Sequence, residues 1–150
     1  MTPSEAAPGA RTTSVVVRAG LGILAVFQGV IGVWALLAPA SFYSSFPMAG
    51  HAWVSLLPPY NEHLISDVGE LLLALTVLLA AAAVTSQRLL SAVAVGAFAV
   101  YTVPHAIFHA VHLEGFSPVD AVAQTVGFAL QIVVAAVVAW LLWRDRPRKA

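Results

Sequence analysis

The chain contains no cysteine. Disulfide frameworks, thiolate metal sites and CxxC redox chemistry are therefore excluded. Charge is almost as scarce. Only 9% of the 150 residues are Asp, Glu, Lys or Arg, against roughly 25% in an ordinary soluble domain. The formal net charge is zero, so no long-range field steers an acidic or basic partner. Neither an internal repeat nor a heptad pattern is present. Apolar residues, by contrast, make up 60% of the chain, and its mean hydropathy is +0.89. These values exclude a disordered chain, a nucleic-acid binder and an ordinary soluble enzyme. They point to a single small, all-α domain that sits in the lipid bilayer.

Four apolar stretches are long enough to cross roughly 30 Å of hydrocarbon at ~1.5 Å per residue. They run from about Val15 to Leu37, Leu64 to Val84, Leu89 to Val111 and Val119 to Trp143. Helix is the reading for each, because an isolated spanning segment must satisfy its own backbone groups. The implied fold is an integral membrane four-helix bundle. Ser117-Pro118-Val119-Asp120 reads as an N-cap, a proline at the first helical position and an acid in the first turn. Asn61 is a cap for the second span, and Ser86-Gln87-Arg88 is a tight turn between spans two and three. Residues 1–14 read as a flexible tail and 144–150 as a basic one. The long connection 38–62 holds Pro39, Pro47, Pro58 and Pro59, so it is not one helix. Its aromatics, Phe42, Tyr43, Phe46, Trp53 and Tyr60, suit the headgroup region. Ala38-Pro39-Ala40 has the form of a signal-peptidase site. The apolar run before it exceeds the usual ~7–15-residue core and contains Gln28, which favours a retained span.

All seven Lys and Arg residues lie in the N-terminal segment, the turn between spans two and three, or the C-terminal tail. The positive-inside rule then predicts that both termini are cytoplasmic. With that orientation Glu62, Asp67, Glu70, Glu114, Asp120 and all five histidines fall in the outer half. Helical phase orders them further. His63, Asp67 and Glu70 form one stripe on the second span. His105, His109 and His112 form another on the third, and Tyr101 extends it one turn deeper. Asp120, Gln124 and Gln131 share a face of the fourth span.

A short turn makes spans two and three antiparallel neighbours. Depth counting then sets His63 near His112, Asp67 near His109, and Glu70 near His105, with Gln124 close to the Asp67 level. The expectation is that these stripes face each other, since an unpaired ionisable group at mid-bilayer costs at least ~2.5–3.5 kcal/mol. His105 and His109 at i, i+4 converge as in the HExxH arrangement, although its glutamate is missing. With His63 and Asp67 they make a candidate site for a divalent metal such as zinc or iron. Asp67 and Glu70 are the candidate catalytic proton acceptors. Tyr101, His112 and Gln124 are the supporting residues. Simpler roles compete: His112 and Asp120 as helix caps, Gln28, Gln124 and Gln131 as interhelical glue, and His51 and Glu114 as solvated loop residues. Pro104 is expected to kink the third span, free a carbonyl near Val100 and open a wedge with an aromatic rim.

Three segments carry a resemblance: GVWALLAPASFYSSFP, PYNEHLISDVGELLLAL and VPHAIFHAVHLEGFSPVDAVAQT. Together they resemble a group of actinobacterial four-helix membrane proteins that is similar to DoxX-like proteins in general layout. The resemblance covers about residues 19–142. It implies a four-span plasma-membrane protein and no assigned reaction. DoxX-like relatives are discussed as partners of redox or thiol-stress systems, a role that a chain without cysteine cannot fill directly.

Several functions follow as expectations. The first is an outward-open His/carboxylate site that binds a divalent metal and acts on, or carries, a small lipophilic molecule, as an oxidoreductase or hydrolase if it is an enzyme. The second is a non-catalytic accessory or scaffold subunit that docks a membrane protein partner or a second copy. Gly20, Gly22, Gly29 and Gly32 support close helix contact there. The third, ranked lower, is haem or quinone binding, with His63 and His105 as axial haem ligands. Ion conduction is disfavoured because no polar residue continues the route beyond Gln28 and Gln131.

Overall fold

A computed structural model describes residues 8–57 and 59–146. Of the tails expected at 1–14 and 144–150, residues 1–7 and 147–150 lie outside the described residues. The described residues form five α-helices: α1 (Pro8–Leu37), α2 (Pro39–Ser45), α3 (Glu62–Thr85), α4 (Arg88–Val111) and α5 (Pro118–Arg144). A 3-10 turn, Val54–Leu56, interrupts the connection between α2 and α3. Among the described residues there is no strand.

Four of these helices are long and apolar enough to cross a membrane, and they match the four expected spans. The outward faces support this, since Val30, Val77, Val100 and Leu130 are each more than 60% exposed. An apolar surface of that extent suits lipid rather than water. The shortest of the four helices has 24 residues, or ~36 Å of rise. The helix starts are those read from the sequence. Asn61 accepts the Leu64 N–H at 3.1 Å, and Ser117 Oγ accepts the Asp120 N–H at 3.1 Å. α3 ends at Ser86, which takes a left-handed conformation (φ 54°) and turns the chain into α4. α1 begins earlier than expected, at Pro8, within the segment read as tail. A first-turn proline is tolerated there because its missing N–H has no intrahelical partner to lose.

The helices form a ring in which α1 neighbours α3 and α5, and α4 neighbours the same two. The α1–α3 seam is the most intimate. Its centre is a backbone-to-backbone approach. A Cβ on Gly69 would stand 2.7 Å from the Leu36 nitrogen and 3.0 Å from the Gly32 oxygen. Small residues are what permit such an approach. Around this crossing, α3 buries Ile65, Leu72, Leu79 and Ala82.

Packing is uneven along the bundle axis. At the end carrying the α3–α4 turn, Val17, Leu21, Leu24, Leu79, Phe98 and Val138 fill a dry core. At the loop end the core is small, centred on Ala35, Phe42 and Ile65, and the helices enclose space instead.

Gly69→Ala is expected to destabilise the bundle by about 1–3 kcal/mol through backbone overpacking. Gly96→Ala, whose Cβ meets nothing within 4 Å, is expected to be neutral or stabilising by up to about 1 kcal/mol. Denaturant unfolding in detergent, followed by circular dichroism, distinguishes the two.

Candidate functional site

The enclosed space at the loop end is a chamber of about 640 Å³, within the range of small-molecule sites, ~300–1,000 Å³. Its wall is mostly apolar: Phe27 and Ile31 from α1, Leu64, Val68 and Leu72 from α3, and Phe108 and Phe128 from α4 and α5. No Lys, Arg, Asp or Glu lines it. Its polar groups are Tyr101, His105, His109 and His112 from α4, Gln124 and Gln131 from α5, and Gln28 from α1, together with the Trp53 indole.

The two inner histidines form a unit. His105 Nε2 and His109 Nε2 are 2.9 Å apart, so one donates and the other accepts. Their rings stack at 4.7 Å with planes 13° apart. Phe128 lies against both, at 5.1 and 5.2 Å, and Tyr101 meets His105 edge-on at 5.3 Å. The Gln124 carboxamide sits beside His109. Gln124 is 3% exposed, yet its Nε2 has no hydrogen-bond partner, and neither does His109 Nδ1. A buried, unpaired amide donor costs about 1–3 kcal/mol unless something accepts from it. Deeper in the chamber, Gln28 donates to Gln131 at 3.4 Å, the interhelical bond expected of glue residues.

The α3 stripe does not join this group. His63, Asp67 and Glu70 are not among the chamber residues. His63 pairs with Asp67 at 3.2 Å on the outside of the helix, their side chains 87% and 44% exposed. Glu70 is exposed as well. The reason is helical phase. The Gly69 crossing turns the Ile65/Gly69/Leu72 face inward, and positions 63, 67 and 70 fall ~140–160° from Ile65 to either side at 100° per residue. The expected juxtaposition of Asp67 with His109 is therefore corrected. α4 finds its polar neighbour on α5 instead, where Gln124 sits beside His109.

Three readings change with it. Among the described residues, no group of three or more His, Asp or Glu side chains is placed to hold a metal ion, so His63, Asp67, His105 and His109 do not form one ligand set. Asp67 and Glu70 do not line the chamber and are not positioned as its proton acceptors. His63 and His105 do not flank a common space, as axial haem ligands must.

The chamber has the aromatic wall expected of its rim. Phe42, Phe46, Trp53, Val54 and Leu57, all from the connection before α3, line it. Phe42, Phe46 and Trp53 are linked ring to ring, at 4.9 and 6.0 Å. Asp120, expected to be only a first-turn acid, ties this segment down. Its Oδ1 accepts from Trp53 Nε1 at 2.8 Å and meets His51 Nδ1, while its Oδ2 accepts from Ser117 Oγ at 2.7 Å. His51 is thus a tether rather than a solvated loop residue. His112 ends α4 as expected, its Nδ1 on the Phe108 carbonyl at 2.8 Å. Pro104 lies within a continuous α4, beside His105.

Comparison of the chain with protein-family models, with curated proteins and with solved structures gives no match. The likeness to DoxX-like proteins therefore rests on the sequence segments alone.

Asp120→Ala is expected to release His51 and Trp53 together. Amide hydrogen exchange across residues 46–57 should quicken by roughly tenfold, with α4 unchanged. Unaltered exchange in that segment would show that the aromatic wall does not depend on this tether.

Proposed function

We propose that the protein binds a neutral, largely apolar small molecule in the loop-end chamber and holds it by one polar end. The observation that carries this is the Gln124 Nε2 donor: buried without a hydrogen-bond partner, on an amide set beside His109 in a space whose wall is mostly apolar. A carbonyl or hydroxyl oxygen of the guest would accept from it. A formally charged guest is disfavoured, because no ionic side chain lines the chamber to pair with it. The two Nε2 atoms of the histidine pair are engaged with each other, which leaves His109 Nδ1, buried and without a partner, as the ring nitrogen that can hydrogen-bond the guest oxygen. The residues present do not fit a resident zinc or iron ion, and no step is routed through one.

The proposed setting is the plasma membrane, with both termini on the cytoplasmic side. Arg18, Arg88 and Arg144 gather at one end of the bundle, as the positive-inside rule asks. A second reading has a specific observation in its favour. His63 and Glu70 are exposed and Asp67 half-exposed on the outer face of α3, beside apolar residues such as Leu71 and Val77. Such a face suits a membrane protein partner or a second copy better than acyl chains.

Native mass spectrometry of the detergent-purified protein is expected to show a co-purifying neutral organic molecule. Gln124→Leu should lower its occupancy by about 2–12-fold, the equivalent of one lost hydrogen bond of ~0.5–1.5 kcal/mol. Gly127 lines the chamber, and its Cβ direction is open. Gly127→Phe should therefore displace the guest while the helical circular dichroism stays intact. Equal occupancy in the wild type and both variants would overturn the proposal.

A further inference from the structure

The opposite end of the bundle holds a second cavity, of about 460 Å³, between the start of α1, the α3–α4 turn and the end of α5. Its character is the reverse of the chamber. Arg18, Arg88 and Arg144 line it, against the single carboxylate of Asp145. Asp145 is engaged by Arg144, whose Nε donates to Oδ1 at 2.9 Å. Arg18 spends its Nε on the Ala83 carbonyl at 3.1 Å, and Arg88 spends one terminal nitrogen on the Asp145 carbonyl at 2.8 Å. Each guanidinium group keeps further N–H donors beyond these bonds. The hydroxyl residues Ser14, Ser86 and Ser91 complete the polar lining. α4 starts here as well, and its N-cap, Gln87, makes no side-chain hydrogen bond to the first turn. That leaves the positive end of the helix dipole uncapped.

Guanidinium forks with positive charge in excess suit a phosphate group, which such forks bind bidentately. The surroundings indicate where the phosphate comes from. The floor includes Val17, Leu141 and Leu142, which favour the glycerol and first methylenes of a lipid over bulk solvent. At the same end of α5, Trp140 and Trp143 are 52% and 62% exposed, and the Arg144 guanidinium lies 4.9 Å over the Trp140 ring. Exposed tryptophans at a helix end mark the headgroup level. Basic pockets between spanning helices at that level are where anionic headgroups bind. We propose that this cavity is a phosphate-binding site occupied by the headgroup of an anionic phospholipid. The site is independent of the chamber and of what the chamber binds.

The test uses the full chain in detergent, with phosphatidylglycerol, phosphatidylcholine or inorganic phosphate added in turn. Phosphatidylglycerol is expected to raise the unfolding temperature and to be retained in native mass spectra, and phosphatidylcholine is not. Arg18→Gln combined with Arg88→Gln should weaken that retention by roughly tenfold. A matching response to inorganic phosphate, lost in the same variant, would support the phosphate site and name a soluble phosphate as its source. No response to either anion, or an equal response in variant and wild type, overturns the proposal. If the double variant does not fold, a salt series on the wild type decides. At about 1 M salt, where the Debye length is ~3 Å, the phosphatidylglycerol effect must fall sharply, and an effect indifferent to salt also overturns the proposal.

Discussion

The approach of α1 to α3 at Gly32 and Gly69 sets the rotation of α3, and most of the molecule follows from that rotation. A Cβ on Gly69 would stand within 3.0 Å of backbone atoms on α1. Only a glycine lets the two backbones come this close. Once that face is turned inward, the positions about half a turn away must face outward. His63, Asp67 and Glu70 are those positions. The polar groups of α4 then share a chamber with Gln124 and Gln131 of α5 and Gln28 of α1.

The bundle divides its length between two physical regimes. The end at the α3–α4 turn is dry, filled by Phe98 and the leucines and valines of α1, α3 and α5. It supplies packing and leaves no polar route through the molecule. The loop end contributes less packing and instead holds a chamber with buried polar groups. Those groups meet one another only in part: His105 satisfies one nitrogen of His109, while Gln124 keeps an unused donor. In a low-dielectric setting such a partial network is costly unless a further acceptor arrives. This is the physical basis for reading the chamber as a binding site rather than as structural glue.

The two cavities also differ in charge. The chamber has no ionic lining and is walled in part by an aromatic segment tethered to Asp120. The opposite cavity is rich in arginine and lies at the end of α5 that carries exposed tryptophans. A neutral guest and an anionic headgroup would therefore be sorted to opposite ends without competing. Both cavities use α5, whose start anchors the aromatic segment and whose end supplies Arg144.

The positions of the four long helices, the caps at Asn61 and Ser117 and the turn at Ser86 were legible in the sequence, while the early start of α1 at Pro8 was not. Each depends on hydrophobic run length and on neighbours within a few residues. The i, i+4 relation of His105 and His109 was legible for the same reason. Periodicity states which side chains share a face of a helix, but not which way that face turns in the bundle. The rotation of α3 depended on a backbone contact between residues 32 and 69. The partners of Asp120 depended on where a loop nearly 70 residues earlier came to rest. Both are pairwise properties of distant segments. Only the tertiary structure could therefore separate Asp67 and Glu70 from the histidines, and bring Phe128 and Trp53 to the same chamber as His105 and His109.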